Sequence, residues 1–113
     1  MRFAAVIAAA GKSVRFGGDK KEYRLLDGVQ VISHSVQRFL ECRDCAAVVV
    51  VVPPDGEAAA RTALGQSLLT RAGPRIMFAE GGAHRADSVK AGLMALRSVD
   101  PELVLVHDAA RPW

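Results

Sequence analysis

Residues 46–52, Ala-Ala-Val-Val-Val-Val-Val, form an unbroken apolar run that Pro53-Pro54 closes. Five β-branched residues in succession lose side-chain freedom in a helix and pack well on a pleated surface. The run has no polar alternation, so a strand built from it must be covered on both faces. That requirement points to a parallel sheet with helices on each side. The flanking sequence supplies matching pieces. Phe3 to Ala9 reads as a short buried strand. Val31 to Glu41 carries apolar residues at Val31, Ile32, Val36, Phe39 and Leu40, a helical stripe. Asp55 is placed to cap an Ala-rich helix running to Leu69. Arg75 to Ala79 reads as a strand, Ser88 to Leu96 as a helix, Asp100-Pro101 as a turn and Glu102 to Val106 as a fourth strand. Ala10 to Leu26 is a Gly- and charge-rich loop.

The order βαβαβαβ predicts an α/β fold, a Rossmann-like open parallel sheet with right-handed crossovers. No repeat or linker divides the 113 residues, so residues 1–113 are read as the nucleotide-binding portion of a single domain. The fourth strand has no helix after it, so the domain is expected to be incomplete in this chain, with one face of that strand bare.

The formal charge is +3 and the Lys and Arg residues are scattered, which predicts no nucleic-acid surface. Phe3 to Ala10 is too short to span a membrane and is soon followed by Lys12 and Arg15. No membrane role and a cytoplasmic location are therefore expected. Cys42 and Cys45 form one C-x-x-C pair with no second pair to complete a zinc site, and they are read as small, half-buried thiols.

Chemistry concentrates where strands end. Gly11 directly follows the first strand and permits a tight turn whose N–H groups can approach an anion, with Arg15, Lys20 and Lys21 close behind. This is a phosphate cradle of neither common type. A P-loop ending Gly11-Lys12-Ser13 would need Gly where Val6 stands, and a dinucleotide fingerprint would need Gly at Ser13. Gly81-Gly82 at the third strand's end would let a flat base lie against the backbone, and Ser88 offers a hydroxyl to a base edge. Arg85 could reach a phosphate or pair with Asp87 or Glu80. In the last strand, His107 and Asp108 alternate faces, so Asp108 is assigned to the site and His107 to packing. His34, within the first helical stripe, is also read as structural.

Taken together, Ala9-Ala10-Gly11 with Arg15, Lys21 with Tyr23 and Leu25, His34-Ser35-Val36, Gly81-Gly82 with Arg85, Ser88-Val89, Gly92-Leu93 and Val104 to Pro112 resemble the cytidylyltransferases of the methylerythritol phosphate route to isoprenoids. The resemblance runs in family order along the whole chain, and His107-Asp108-Ala109-Ala110-Arg111-Pro112 is its most specific part. It implies a nucleotide-diphospho-sugar transferase-like fold and a homodimer. It implies transfer from CTP to methylerythritol phosphate with release of pyrophosphate, and Mg2+ as cofactor. Ala9, Ala10, Gly11, Gly82 and Ser88 would line the cytosine and ribose pocket. Arg15 and Lys21 would be the catalytic cations, and Asp108, with Ala109 beside it, would serve the ribose and the metal. The family chain is about twice this length, so the isolated 113 residues are expected to bind Mg2+–CTP weakly and to release no pyrophosphate. Two readings stay open beside this one. One is a non-catalytic nucleotide-binding fragment. The other is a transferase acting on another polyol phosphate or on molybdenum cofactor, since Gly17-Gly18-Asp19-Lys20 resembles the guanylyltransferases of molybdenum-cofactor synthesis.

Overall fold

The computed structural model describes residues 1–10, 29–82 and 84–108, together with the backbone of residues 15–16, 19–20 and 25–26; of residues 29–30 it likewise describes only the backbone. Four parallel strands form the sheet: β1 (Phe3–Ala8), β6 (Cys45–Val52), β7 (Ile76–Glu80) and β8 (Leu103–Asp108), in the order β7-β6-β1-β8. Helix α1 (Val31–Leu40) connects to β6; α2 (Glu57–Leu64) and α3 (Gln66–Ala72) lie between β6 and β7; α4 (Arg85–Ala95) precedes β8. The predicted α/β parallel sheet is the one observed.

The valine run behaves as its composition demands. Val48 to Val52 are all buried, and β6 sits inside the sheet between β7 and β1. Alternate side chains feed two cores. Val48, Val50 and Val52 pack with Ala5, Ile7, Ile32 and Val36 beneath α1. Val49 and Val51 pack with Ala4, Val6 and Leu96 beneath α4.

Three local expectations change. Asp55 does not cap the helix after Pro53-Pro54. It takes a left-handed φ of 63° inside the turn closed by the Gly56 N–H donating to the Pro53 carbonyl at 2.8 Å, and Gly56 is the N-cap. Proline at the second and a positive φ at the third position is the pattern of a type II turn, and it outcompetes the Asx cap. The helix expected to run to Leu69 is two helices, broken at Gly65, whose φ of 88° no helix accommodates. The segment read as loop from Ala10 to Leu26 contains paired backbone. β2 (Arg15–Phe16) runs antiparallel to β3 (Asp19–Lys20), and β4 (Leu25–Leu26) to β5 (Val29–Gln30).

The last strand runs two residues further than expected, to Asp108. It is an edge strand, with Leu103 45%, Leu105 38% and Val106 39% exposed. Neither thiol is half-buried as expected: Cys45 is buried in β6, and Cys42 is exposed because it lies in the turn after α1. Burial pushes the Cys45 thiol up, partly offset by the neighbouring Arg75 guanidinium.

Candidate functional site

The parallel register brings the carboxyl ends of all four strands into one row. Asp108 pairs with Ala8, Ala8 with Val51, and Val51 with Ala79. Two backbone bonds extend the row past the strand ends. The Ala9 N–H donates to the Val51 carbonyl and the Gly81 N–H to the Val52 carbonyl, each at 2.8 Å. Ala9 is fully buried and Ala10 half-buried. The floor of this edge is therefore made of alanine, valine and glycine, with little side-chain bulk above the backbone.

The glycines serve a packing role beyond the one read from sequence. A Cβ on Gly81 would collide with the Ser88 hydroxyl and come within 2.8 Å of Val51 Cγ1 and 3.1 Å of Ala10 Cβ. A Cβ on Gly82 would stand 2.7 Å from both Asp87 Cβ and Oδ2. Neither glycine adopts a positive φ; both are needed because the first turn of α4 folds back onto the strand end. Gly81 thus joins Ala10 and Ser88 in one cluster, although the family resemblance implied a pocket role for Gly82 alone.

Helix α4 starts at Arg85, three residues before the predicted start. The His84 N–H donates to Asp87 Oδ2 at 3.3 Å, so the third helical residue caps the turn before it. An acidic side chain three residues after His84 was the available signal. The helix N-terminus, with its partial positive charge, opens on the carboxyl edge of the sheet. Ser88, only 4% exposed, lies one turn in.

Asp108 and His107 separate as alternation predicted. The His107 ring meets Phe39 edge-on, 5.7 Å between centroids, on the α1 side. Asp108 lies on the α4 side, where its Oδ1 accepts from Arg85 Nη1 at 2.8 Å. Arg85 therefore pairs with Asp108, and neither Asp87 nor Glu80 is its partner. Sequence could not choose among these because the partner lies 23 residues away. His34 is half-buried on α1.

The structure thus brings together Ala9, Ala10, Gly82, Ser88 and Asp108. Gly11, Lys21 and Ala109 lie outside the described residues, as does the Arg15 side chain, although the Arg15 backbone pairs with Lys20. Among the described residues no three metal-ligating side chains cluster. A second cleft, of about 180 Å³, lies at the opposite edge of the sheet between α1 and α3, lined by Gln37, Glu41, Arg71 and Arg75 among others. It shares no residue with the site.

The edge accordingly offers a flat backbone floor, a buried hydroxyl, a helix N-terminus and one carboxylate, a set suited to a polar planar ring and an anionic tail. The chain is 44% identical over 112 residues to the 2-C-methyl-D-erythritol 4-phosphate cytidylyltransferase of Streptomyces avermitilis, covering 98% of this chain and 44% of that one. It is 42% identical over 113 residues to the bifunctional enzyme IspD/IspF of Rhodospirillum rubrum, covering 98% of this chain and 28% of that one. A solved structure of 4-diphosphocytidyl-2C-methyl-D-erythritol synthase superposes with a TM-score of 0.70 at 28% identity, over 98% of this chain and 47% of that one. The chain therefore spans less than half the length of these relatives. The family model for 2-C-methyl-D-erythritol 4-phosphate cytidylyltransferase matches residues 3–113, nearly the whole chain, and with the strand order and the Ala-Gly-Ser edge in place the chain belongs to that family.

Proposed function

We propose that this chain supplies the nucleotide half of a cytidylyltransferase that joins CTP and 2-C-methyl-D-erythritol 4-phosphate into CDP-methylerythritol and pyrophosphate. The observation that carries the reading is the convergence of Ala10, Gly81, Gly82, Ser88 and Asp108 on one sheet edge. In open α/β sheets ligands bind at that edge. Ala9, Ala10, Gly11 and Gly82 present backbone groups to cytosine and ribose, and the Ser88 hydroxyl bonds the base. Asp108 and Ala109 serve the ribose end.

In the reaction a phosphate oxygen of methylerythritol phosphate attacks the α-phosphorus of CTP, and the bond to the pyrophosphate oxygen breaks. Such transfer relies on positioning and charge stabilisation. Arg15 and Lys21 are assigned to the negative charge that grows on the α-phosphate. Mg2+ ordinarily binds through one or two carboxylates with substrate phosphates and water. Asp108 fits that donor set: its side chain is 47% exposed at the strand end, and among the described residues only Oδ1 is paired. When bound there, Mg2+ would neutralise triphosphate charge. A homodimer and a cytoplasmic setting belong to the same proposal; no helix among the described residues is long and apolar enough to cross a membrane.

Calorimetric titration with CTP, GTP and ATP in Mg2+ tests the reading. CTP should bind at least tenfold more tightly than either purine nucleotide. Equal affinities, or a preference for GTP, would overturn the cytidylyl assignment.

A further inference from the structure

Arg85 and Asp108 come from chain segments that leave opposite edges of the sheet. Arg85 opens α4 on the connection from β7, and Asp108 ends β8, with β6 and β1 between them. Their 2.8 Å contact therefore straps across the carboxyl ends of the two central strands. Both side chains are about half exposed, 57% and 47%, a setting in which an ion pair adds little to folding. Arg85 pairs with Asp108 rather than with the sequence-adjacent Asp87, whose carboxylate is engaged by the His84 N–H. The contact uses Oδ1, and among the described residues Oδ2 has no hydrogen-bond partner.

We propose that Arg85 is a positioning residue: its guanidinium orients the Asp108 carboxylate so that the second oxygen is presented to a divalent cation brought in with the nucleotide. Carboxylates that ligate metals are held in this way by hydrogen-bond donors behind them, and losing the donor typically weakens metal binding by about 10- to 100-fold. A planar guanidinium fixes the orientation of a carboxylate better than an ammonium does. The inference rests on the nucleotide reading above, and its test separates the two.

CTP affinity is measured with saturating Mg2+ and with EDTA in the wild type, Arg85→Ala, Arg85→Lys and Asp108→Asn. Arg85→Ala should weaken CTP binding about 10- to 100-fold in Mg2+ and less than twofold in EDTA. Arg85→Lys should recover part of the loss, and adding Arg85→Ala to Asp108→Asn should cost little more. Melting temperatures should stay together, as befits an exposed pair. An equal loss in EDTA would mean that Arg85 acts on the nucleotide itself, directly or through the ribose contact of Asp108, and would overturn the proposal, as would no loss in either condition. A second arm uses Mn2+ alone, read as broadening of the Asp108 amide resonance. Broadening should require about tenfold more Mn2+ in Arg85→Ala than in the wild type; equal broadening overturns the positioning role. If the wild type binds no CTP, the cytidylyl reading falls, and the Mn2+ arm still decides the role of Arg85.

Discussion

Gly92 lies in the middle of α4, where glycine costs about 1 kcal/mol relative to alanine. The structure supplies the reason it stands there. A Cβ at Gly92 would lie 2.6 Å from Val6 Cγ1 and 2.9 Å from Val6 Cγ2. Val6 is fully buried in β1, which is bonded on both sides by β6 and β8, and its branched side chain has nowhere to turn. Gly92→Ala must therefore lift α4 from the sheet. Overpacking of this kind costs about 1–3 kcal/mol, against the gain of about 1 kcal/mol in helix propensity. The expected net loss is about 0–2 kcal/mol; at its midpoint of about 1 kcal/mol the melting temperature falls by roughly 4–8 °C for a domain of this size. Urea unfolding followed by circular dichroism measures it. The same substitution made beside Val6→Ala should instead be neutral or stabilising, because the methyl groups that collide are gone. The coupling between the two sites should exceed about 1 kcal/mol. A stabilising Gly92→Ala in the wild type, or equal effects in both backgrounds, would refute the close helix–strand contact. Since Ser88 lies one turn earlier on the same buried face, Gly92→Ala should also weaken CTP binding.

Other substitutions probe the site. Gly81→Ala drives a methyl into Ser88, Val51 and Ala10 and should reduce CTP affinity at least tenfold in a protein that still folds; unchanged affinity would remove Gly81 from the site. Lys21→Ala in the full-length enzyme should lower kcat about 10²–10³-fold at saturating CTP; a larger loss in Lys20→Ala moves the role to Lys20. Asp108→Asn should raise the Mg2+ requirement for CTP binding with little change in melting temperature, whereas His107→Asn, which breaks the ring contact with Phe39, should cost about 1 kcal/mol of stability and leave CTP binding intact. The reverse pattern would exchange their roles. Cys42 should be alkylated in the folded protein well before Cys45, whose buried thiol resists ionisation; simultaneous labelling would contradict that difference.

Much of this architecture was legible because the informative signals were periodic. The valine run, the alternation of His107 and Asp108 and the stripe through Ile32, Val36 and Phe39 each reflect a local repeat that tertiary packing reinforces. What escaped depended on competition or distance. Asp55 could serve a helix cap or a turn, and Pro54 decided for the turn. Gly65 halted a helix whose composition gave no other warning. The partner of Arg85 is set by a strand that arrives 23 residues later, so no short-range pattern encodes it. The Gly81–Ser88 contact is likewise a consequence of α4 starting at Arg85, which the Asp87 cap determines.

The central claim, that the carboxyl edge of the sheet is a CTP site, is tested most directly by backbone amide shift mapping during a Mg2+–CTP titration of the labelled protein. The account predicts that Ala9, Ala10, Gly81, Gly82, Ser88 and Asp108 move together along one saturable isotherm. Movement confined to Gln37, Glu41, Arg71 and Arg75, in the cleft at the opposite edge, or no saturable movement at all, would contradict it.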